Sequence, residues 1–130
     1  MQSARFRLTS MKLPLLVTTI LFALVALGFA RDAREQARID FLLHEVETAK
    51  GVVFVRNGSE HDAASAAKHL RMKLDYAGNR VKTAEEFVKY CASESSLTHQ
   101  RYTVRLPNGK TLDAAEYFTA KLREFDATKQ

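Results

Sequence analysis

Apolar positions recur at helical spacing in four stretches of the chain. From about Asp32 to Lys50, the residues Ile39, Leu42, Leu43, Val46 and Ala49 fall on one stripe of a 3.6-residue period. Gly51 follows, and its tolerance of left-handed backbone suits a helix stop. From Ala63 to Ala77 the stripe is Ala63, Ala66, Ala67, Leu70, Leu74 and Ala77, with Asp62 placed as N-cap and Gly78 as the stop. So many alanines predict close approach of a neighbouring helix. A third helix is expected from Thr83, since Thr83 and Glu86 have the spacing of a capping box. Its stripe is Ala84, Phe87, Val88 and Cys91. A fourth is expected from an Asp113 cap, with Ala114, Phe118, Leu122 and Phe125 on one face.

Two segments read as extended. Val52 to Arg56 is β-branched and aromatic, and Asn57-Gly58 closes it with a turn. Tyr102 to Leu106 alternates apolar and polar residues. Pro107-Asn108-Gly109-Lys110 then turns the chain, so that Lys110-Thr111-Leu112 can return as a short partner. An isolated hairpin is only marginally stable, so Tyr102, Val104 and Leu106 are expected to pack on the helices. The predicted fold class is α+β and mostly helical: about four helices packed with a small antiparallel sheet or hairpin. Ser93 to Gln100 reads as a polar loop.

The longest apolar run lies outside this pattern. Arg5, Arg7 and Lys12 precede fifteen uncharged residues, Leu13 to Leu27, and Gly28-Phe29-Ala30 then places small residues where a signal peptidase reads. Basic, apolar, then small-x-small is the order of a secretory signal, with cleavage expected after Ala30. Met11-Lys12 followed by the same run also makes a complete signal. The alternative is an uncleaved anchor through residues 13–30, at the short edge of what spans a bilayer. Either way residues 31–130 would be exported as a single globular domain.

Export changes the charge arithmetic. The 130 residues carry 20 Lys+Arg and 15 Asp+Glu, a net charge of +5. Without Arg5, Arg7 and Lys12 the basic residues fall from 20 to 17 and the net charge to +2. Such a body has no electrostatic footprint for nucleic acid. Its single cysteine, Cys91, excludes an intramolecular disulfide framework, and its place on an apolar stripe predicts a buried thiol.

The chemical motifs are weak. Ser65-Ala66-Ala67-Lys68 has Ser-x-x-Lys spacing, but neither companion motif of the penicillin-recognising enzymes occurs. Gly109-Lys110-Thr111 resembles the end of a P-loop, but Val104 stands where that pattern needs glycine. Glu60-His61-Asp62 is a local cluster of possible ligands. Adjacent residues seldom face one ion, so no metal and no cofactor is expected.

One constellation is more informative. Arg56 and Asn57 end the first extended segment. His69 and Lys73 lie four apart on the second helix and share a face that also carries Met72 and Tyr76. Ser95 and Ser96 lie in the polar loop before Tyr102. Converging, these residues would form a polar pocket for an anionic or sugar-like group. The plainer alternative is that Arg56 and Asn57 organise a turn, Ser95 and Ser96 cap backbone groups and Lys73 is solvated.

The sequence resembles the YfeK-like family of short exported bacterial proteins, a domain of unknown function. The resemblance runs from about Ile39 to Leu122. It is carried by Ile39-x-x-Leu42-Leu43-x-x-Val46, Phe54-Val55-Arg56-Asn57-Gly58 and Ala67-x-His69-Leu70-x-x-Lys73, then by Thr83-Ala84-Glu85-x-Phe87, Ala92-Ser93-x-Ser95-Ser96 and Tyr102. His61 and Thr98-His99 depart from its pattern, which has a tyrosine and a Ser-Gly pair there. The resemblance implies an exported single domain and no particular activity. The expected function is that of a small periplasmic or secreted binding or interaction module without catalysis. Its partner would be an envelope protein or a small anionic or sugar-like ligand, and a membrane only if the leader stays. Two alternatives stand beside it: a small envelope hydrolase using Ser95 or Ser96 with His69 or Lys73, and an envelope component anchored through residues 13–30.

Overall fold

The computed structural model describes residues 31–130, and the expected signal segment, residues 1–30, lies outside the described residues. Arg31–Gln130 form one compact unit. Helix α1 (Ala33–Glu47) opens on Asp32, whose carboxylate accepts the Arg34 amide at 2.8 Å. It buries Ile39, Leu42, Leu43 and Val46. The helix ends earlier than its apolar stripe predicts: Thr48 is the C-cap, its amide donating to the His44 carbonyl. Gly51 is therefore not the stop. It turns the chain toward the sheet at φ +71°, and a β-carbon there would come within 3.3 Å of the Pro107 ring.

Strands β1 (Val53–Arg56) and β2 (Ser59–His61) form a hairpin in which Arg56 faces Ser59. Asn57 and Gly58 both have positive φ, 50° and 76°, the backbone of a tight two-residue hairpin loop. Strand β2 goes beyond the sequence expectation. Strands β3 (Thr103–Arg105) and β4 (Thr111–Asp113) make the expected second hairpin. The four strands form one antiparallel sheet in the order β2-β1-β3-β4. Residues directly opposite share a face, so the pairs Phe54↔His61, Phe54↔Val104 and Val104↔Leu112 set Phe54, His61, Val104 and Leu112 together. Phe54 and Val104 are buried, which makes this the core face. The opposite face is partly exposed and carries the ion pairs Arg105–Glu60 at 2.6 Å and Arg101–Asp113 at 3.1 Å.

Helix α2 (Ala63–Ala77) starts and stops as its sequence predicts. Asp62 accepts the Ser65 amide at 2.8 Å, and Gly78 is the C-cap. Its buried residues, Ala66, Ala67, Leu70 and Leu74, join those of α1 in the core. Helix α3 (Ala84–Phe87) has the predicted capping box between Thr83 and Glu86. It lasts one turn and then widens into a π-helical turn, Val88–Ala92. The Ser93 hydroxyl closes that turn by donating to the Val88 carbonyl five residues back, at 2.5 Å. Widening the turn lets Phe87, Val88, Cys91 and Ala92 all be buried, more than a narrow α-helical stripe admits. Cys91 is fully buried, as expected.

Helix α4 (Ala114–Thr128) begins at Asp113, but that residue makes no side-chain cap; its carboxylate pairs with Arg101 instead. The Ala114 amide donates to the Tyr102 carbonyl at 2.9 Å, which fastens the helix to the start of β3. Ala114, Tyr117, Phe118 and Leu122 are buried, while Phe125 is only partly covered and stacks on Phe41 at 4.9 Å. Burying a side chain the size of Phe87 or Phe118 contributes about 1.5–3 kcal/mol, and a single core of this kind serves the whole unit. The observed class is thus α+β, mostly helical, with a four-stranded antiparallel sheet.

Arg38 joins three helices within this core. Its guanidinium donates to Glu35 on α1, Glu85 on α3 and Asp126 on α4, with contacts between 2.6 and 3.2 Å. Glu35 in turn accepts the Ala84 amide at 2.8 Å, supporting the start of α3.

Candidate functional site

Strand alternation and helical spacing bring five side chains to one end of the core face. Arg56 lies two residues beyond Phe54, so it shares that strand face, and His61 sits opposite Phe54. Tyr102 precedes β3 by one residue, on the Val104 face. Helix α2 supplies His69 and Lys73 one turn apart. Lys73 Nζ donates to the Tyr102 hydroxyl at 3.2 Å and to the Glu94 carbonyl at 2.9 Å, and lies 5.0 Å from the Tyr102 ring centroid. His69 Nε2 stands 3.5 Å from the same hydroxyl, and the two rings meet edge to face.

Burial and charge set the protonation of this group. Desolvation, then the charges of Arg56, Lys73 and His61, push the His69 imidazole down to about 4. Burial lowers Lys73 from its ordinary value, and Arg56 adds to that, while Cys91 and Glu94 act the other way. Burial raises the Tyr102 phenol. At neutral pH His69 is therefore a neutral imidazole beside two cations.

Two concave features flank the cluster. A small cavity of about 40 Å³ is lined by Arg56, His61, His69 and Tyr102 above an apolar floor that includes Phe54 and Phe118. An open groove of about 790 Å³ is lined by Met72, Lys73, Tyr76, Arg80, Tyr90 and His99, with Ser96 also at its wall. Lys73 therefore faces the groove while bonding a residue of the cavity. Of the four large apolar side chains left exposed in the described domain, three line the groove: Met72, Tyr76 and Tyr90. The fourth, Leu97, neighbours Ser96. Arg80 lies 5.6 Å from the Tyr76 ring centroid, and Lys89 lies 5.3 Å from that of Tyr90.

The expected constellation is thus divided. Arg56, His69, Lys73 and Tyr102 come together. Asn57 stays at the hairpin turn, where its side-chain oxygen accepts the Thr98 hydroxyl at 2.8 Å. Ser95 is buried inside its own loop, with its hydroxyl oxygen accepting the Leu97 and Thr98 amides at 3.3 Å each. Ser96 reaches the groove rather than the cavity. No hydrogen bond joins Ser95 or Ser96 to His69 or Lys73 among the described residues. Glu60, His61 and Asp62 diverge: Glu60 pairs with Arg105 on the outer sheet face, and Asp62 caps α2. His61 alone turns inward, and only its pairing with Phe54 in an unexpected strand reveals this. Tyr90 and Arg80 were not marked by any spacing, because the π turn and the short 3₁₀ turn at Gly78–Arg80 place them.

Residues 33–126 match the model of a family of unknown function, DUF5329. The chain belongs to that family. Every residue of the DUF5329 cluster and groove described above lies inside the matched range. Over 71 residues the chain is 44% identical to a protein of Salmonella typhimurium (strain LT2) named "Uncharacterized protein YfeK"; the aligned stretch covers 55% of this chain and 59% of that relative. The chain thus spans less than two thirds of that relative's length. No solved structure matches the DUF5329 chain.

Proposed function

We propose that this DUF5329 protein is an exported binding module, without catalysis of its own, that holds an anionic, sugar-like ligand of the cell envelope in the groove between α2 and the π turn. The observation that carries the reading is the placement of Met72, Tyr76 and Tyr90 around one groove with Lys73 and Arg80. Flat apolar rings cover the faces of a sugar, and the two cations complement a carboxylate or phosphate on it. A serine hydrolase would need an oxygen activated by a neighbouring base. Ser95 Oγ instead accepts from two backbone amides of its own loop, an arrangement that supports a structural part for it.

An oligogalacturonate, acidic at every ring, is the probe, with maltotetraose as its neutral counterpart. Amide shifts of Tyr76, Tyr90 and His99 are expected to saturate with the acidic sugar and to move little with the neutral one. Arg80→Ala and Tyr76→Ala are each expected to weaken binding by about tenfold, the loss of one charge-assisted or ring contact. Absence of saturable shifts, or binding unchanged in both variants, overturns the groove as the site. Export has its own measurement. The mass of the intact protein from the periplasmic fraction is expected to begin at Arg31, and a protein that keeps residues 1–30 there overturns cleavage.

A further inference from the structure

The large apolar side chains left in water gather around one rim. Leu97 is 92% exposed, Tyr76 86%, Met72 61% and Tyr90 49%. Met72, Tyr76 and Tyr90 line the groove, and Leu97 follows Ser96 at its wall. Exposed apolar residues scattered singly are ordinary, whereas a group of them marks a contact surface. Leu97 is the least covered, yet its backbone is held. Ser95 Oγ accepts the Leu97 amide at 3.3 Å, the His99 amide donates to the Ser95 carbonyl at 2.9 Å, and the Ser95 amide donates to the Gln100 carbonyl at 3.0 Å. The loop is ordered while its apex side chain is offered to water.

Cations border the same rim. Lys73, Arg80 and Lys89 make no ion pair among the described residues, and Arg80 and Lys89 lie over the Tyr76 and Tyr90 rings. The acids nearby are engaged. Glu94 turns to His99 at 3.2 Å, Glu85 pairs with Arg38, and Glu86 accepts the Lys82 and Thr83 amides. Asp75 is exposed, but two residues from Lys73 it lies on the far side of α2 from that cation. Arg31, where the expected leader ends, is fastened to this end of the domain: its Nε donates to the Val81 carbonyl at 2.9 Å, one residue beyond Arg80. Burial raises the Cys91 thiol, and Lys73, Arg31 and Arg80 all oppose that rise, as charges gathered at one end of the π turn do.

From this geometry we infer that the rim docks on an anionic phospholipid bilayer, with Leu97 entering the acyl boundary, Tyr76 and Tyr90 among the headgroups, and Arg80 and Lys89 on lipid phosphates. Tyrosine has an apolar ring and a polar tip, which suits the headgroup level, and long cations cover apolar surface while keeping their charge in water. Lysine is depleted in the cores of protein interfaces, whereas beside an anionic leaflet it gains counter-charge without losing its water. Under the proposed export, a leader that ends at Arg31 keeps this end of the domain beside the bilayer until cleavage. The inference goes beyond the sugar reading and stands without it, since Leu97 and Lys89 lie outside the groove wall.

The test is sedimentation of the protein from the periplasmic fraction with vesicles of phosphatidylglycerol and phosphatidylethanolamine, and with vesicles of phosphatidylcholine. Saturable binding to the anionic vesicles is expected, weakened by added salt, with little binding to the neutral ones. Leu97→Ser is expected to weaken it about tenfold and Lys89→Gln about fivefold, both at exposed positions and both with a native Tm. Lys110→Gln, in the turn at the other end of β3 from the Leu97 loop, is expected to stay within about twofold of the native protein. Leu97→Ser is also expected to keep its affinity for oligogalacturonate, so that vesicle binding and sugar binding fail separately. Binding that ignores lipid charge, or that is unchanged in both Leu97→Ser and Lys89→Gln, overturns the inference. So does a dimer that dissociates in Leu97→Ser, which assigns the rim to a second copy of the chain.

Discussion

Arg38→Ala is expected to cost the domain about 2–4 kcal/mol of stability, read by urea unfolding at neutral pH. The side chain is only 8% exposed and bridges three helices that are 47 and 88 residues apart along the chain. Removing it leaves Glu35 partly buried beside two other carboxylates, with only the exposed Arg34, 3.9 Å from Asp126, to offset them. Breaking a buried pair by deleting one partner typically costs about 3–5 kcal/mol. The lower figure applies here because Glu85 is 63% exposed, and water screens its share. For a domain of this size the loss amounts to a fall in Tm of about 10–25 °C. Arg38→Met keeps the apolar stem and separates lost packing from lost charge. If both variants unfold within about 1 kcal/mol of the native protein, the three ion pairs act as ordinary surface contacts and the helices are held by the apolar core alone.

The same cluster sets the acid limb of stability. The hydrogen bond from Arg38 holds the Glu85 carboxyl below its ordinary value. A depressed carboxylate stabilises the fold above the unfolded-chain pKa, near 4.5, and that contribution is lost as pH falls through the lower folded value. Arg38 itself, raised by Glu85, Asp126 and Glu35, stays protonated throughout. The native protein therefore loses stability below about pH 4.5, and Arg38→Ala flattens that part of the profile. Exposed pairs such as Arg71–Glu47 and Arg105–Glu60 lower their carboxylates too, so the Arg38 contribution is read as the difference between the native and Arg38→Ala profiles.

Arg38 also illustrates what single-chain patterning conveys. The helical stripes, the Asp62 and Thr83 caps and the Gly78 stop are local devices, written within four or five residues, and the fold follows them. Arg38 meets Glu85 and Asp126 only after three helices have packed, and no spacing in the sequence links those positions. The Arg101–Asp113 pair has the same origin, since a tertiary contact displaced the local capping preference of Asp113, whereas the early end of α1 is local, with the Thr48 hydroxyl donating to the His44 carbonyl at 2.8 Å. Strand β2 is three residues long and carries Ser59, Glu60 and His61, too short and polar to show a strand period. It brings His61 inward, so that the cavity rim gains a residue that the constellation of Arg56, His69, Lys73 and Tyr102 lacked. The serines went the other way. Ser95 meets the needs of backbone amides within three residues, a demand that outweighs any distant partner.

His69→Gln is expected to remove a second, separate slope from the pH profile of stability. Burial, then Arg56, Lys73 and His61, hold the native imidazole down to about 4, against 6.5 in an unfolded chain. Between those values the unfolded chain takes up a proton that the folded domain refuses, so stability falls as the pH drops from 6.5 to 4. Above 6.5 the imidazole is neutral in both states and the full stability is present. The slope approaches about one proton per molecule in the middle of the range. The groups facing His69 from the other elements, Arg56 on β1, His61 on β2 and Tyr102 before β3, include no carboxylate that could reverse the sign. Glutamine keeps an amide near the Tyr102 hydroxyl and cannot titrate, so the variant should be flat across that window yet lose stability below about pH 4.5 as the native protein does. Arg38→Ala should show the opposite pattern, as steep as the native protein in the upper window and shallower than it in the lower, where Glu47 and Glu60 still contribute. An unchanged upper slope in His69→Gln would mean that His69 is hydrated and ordinary, and that the cations around it do not act on it.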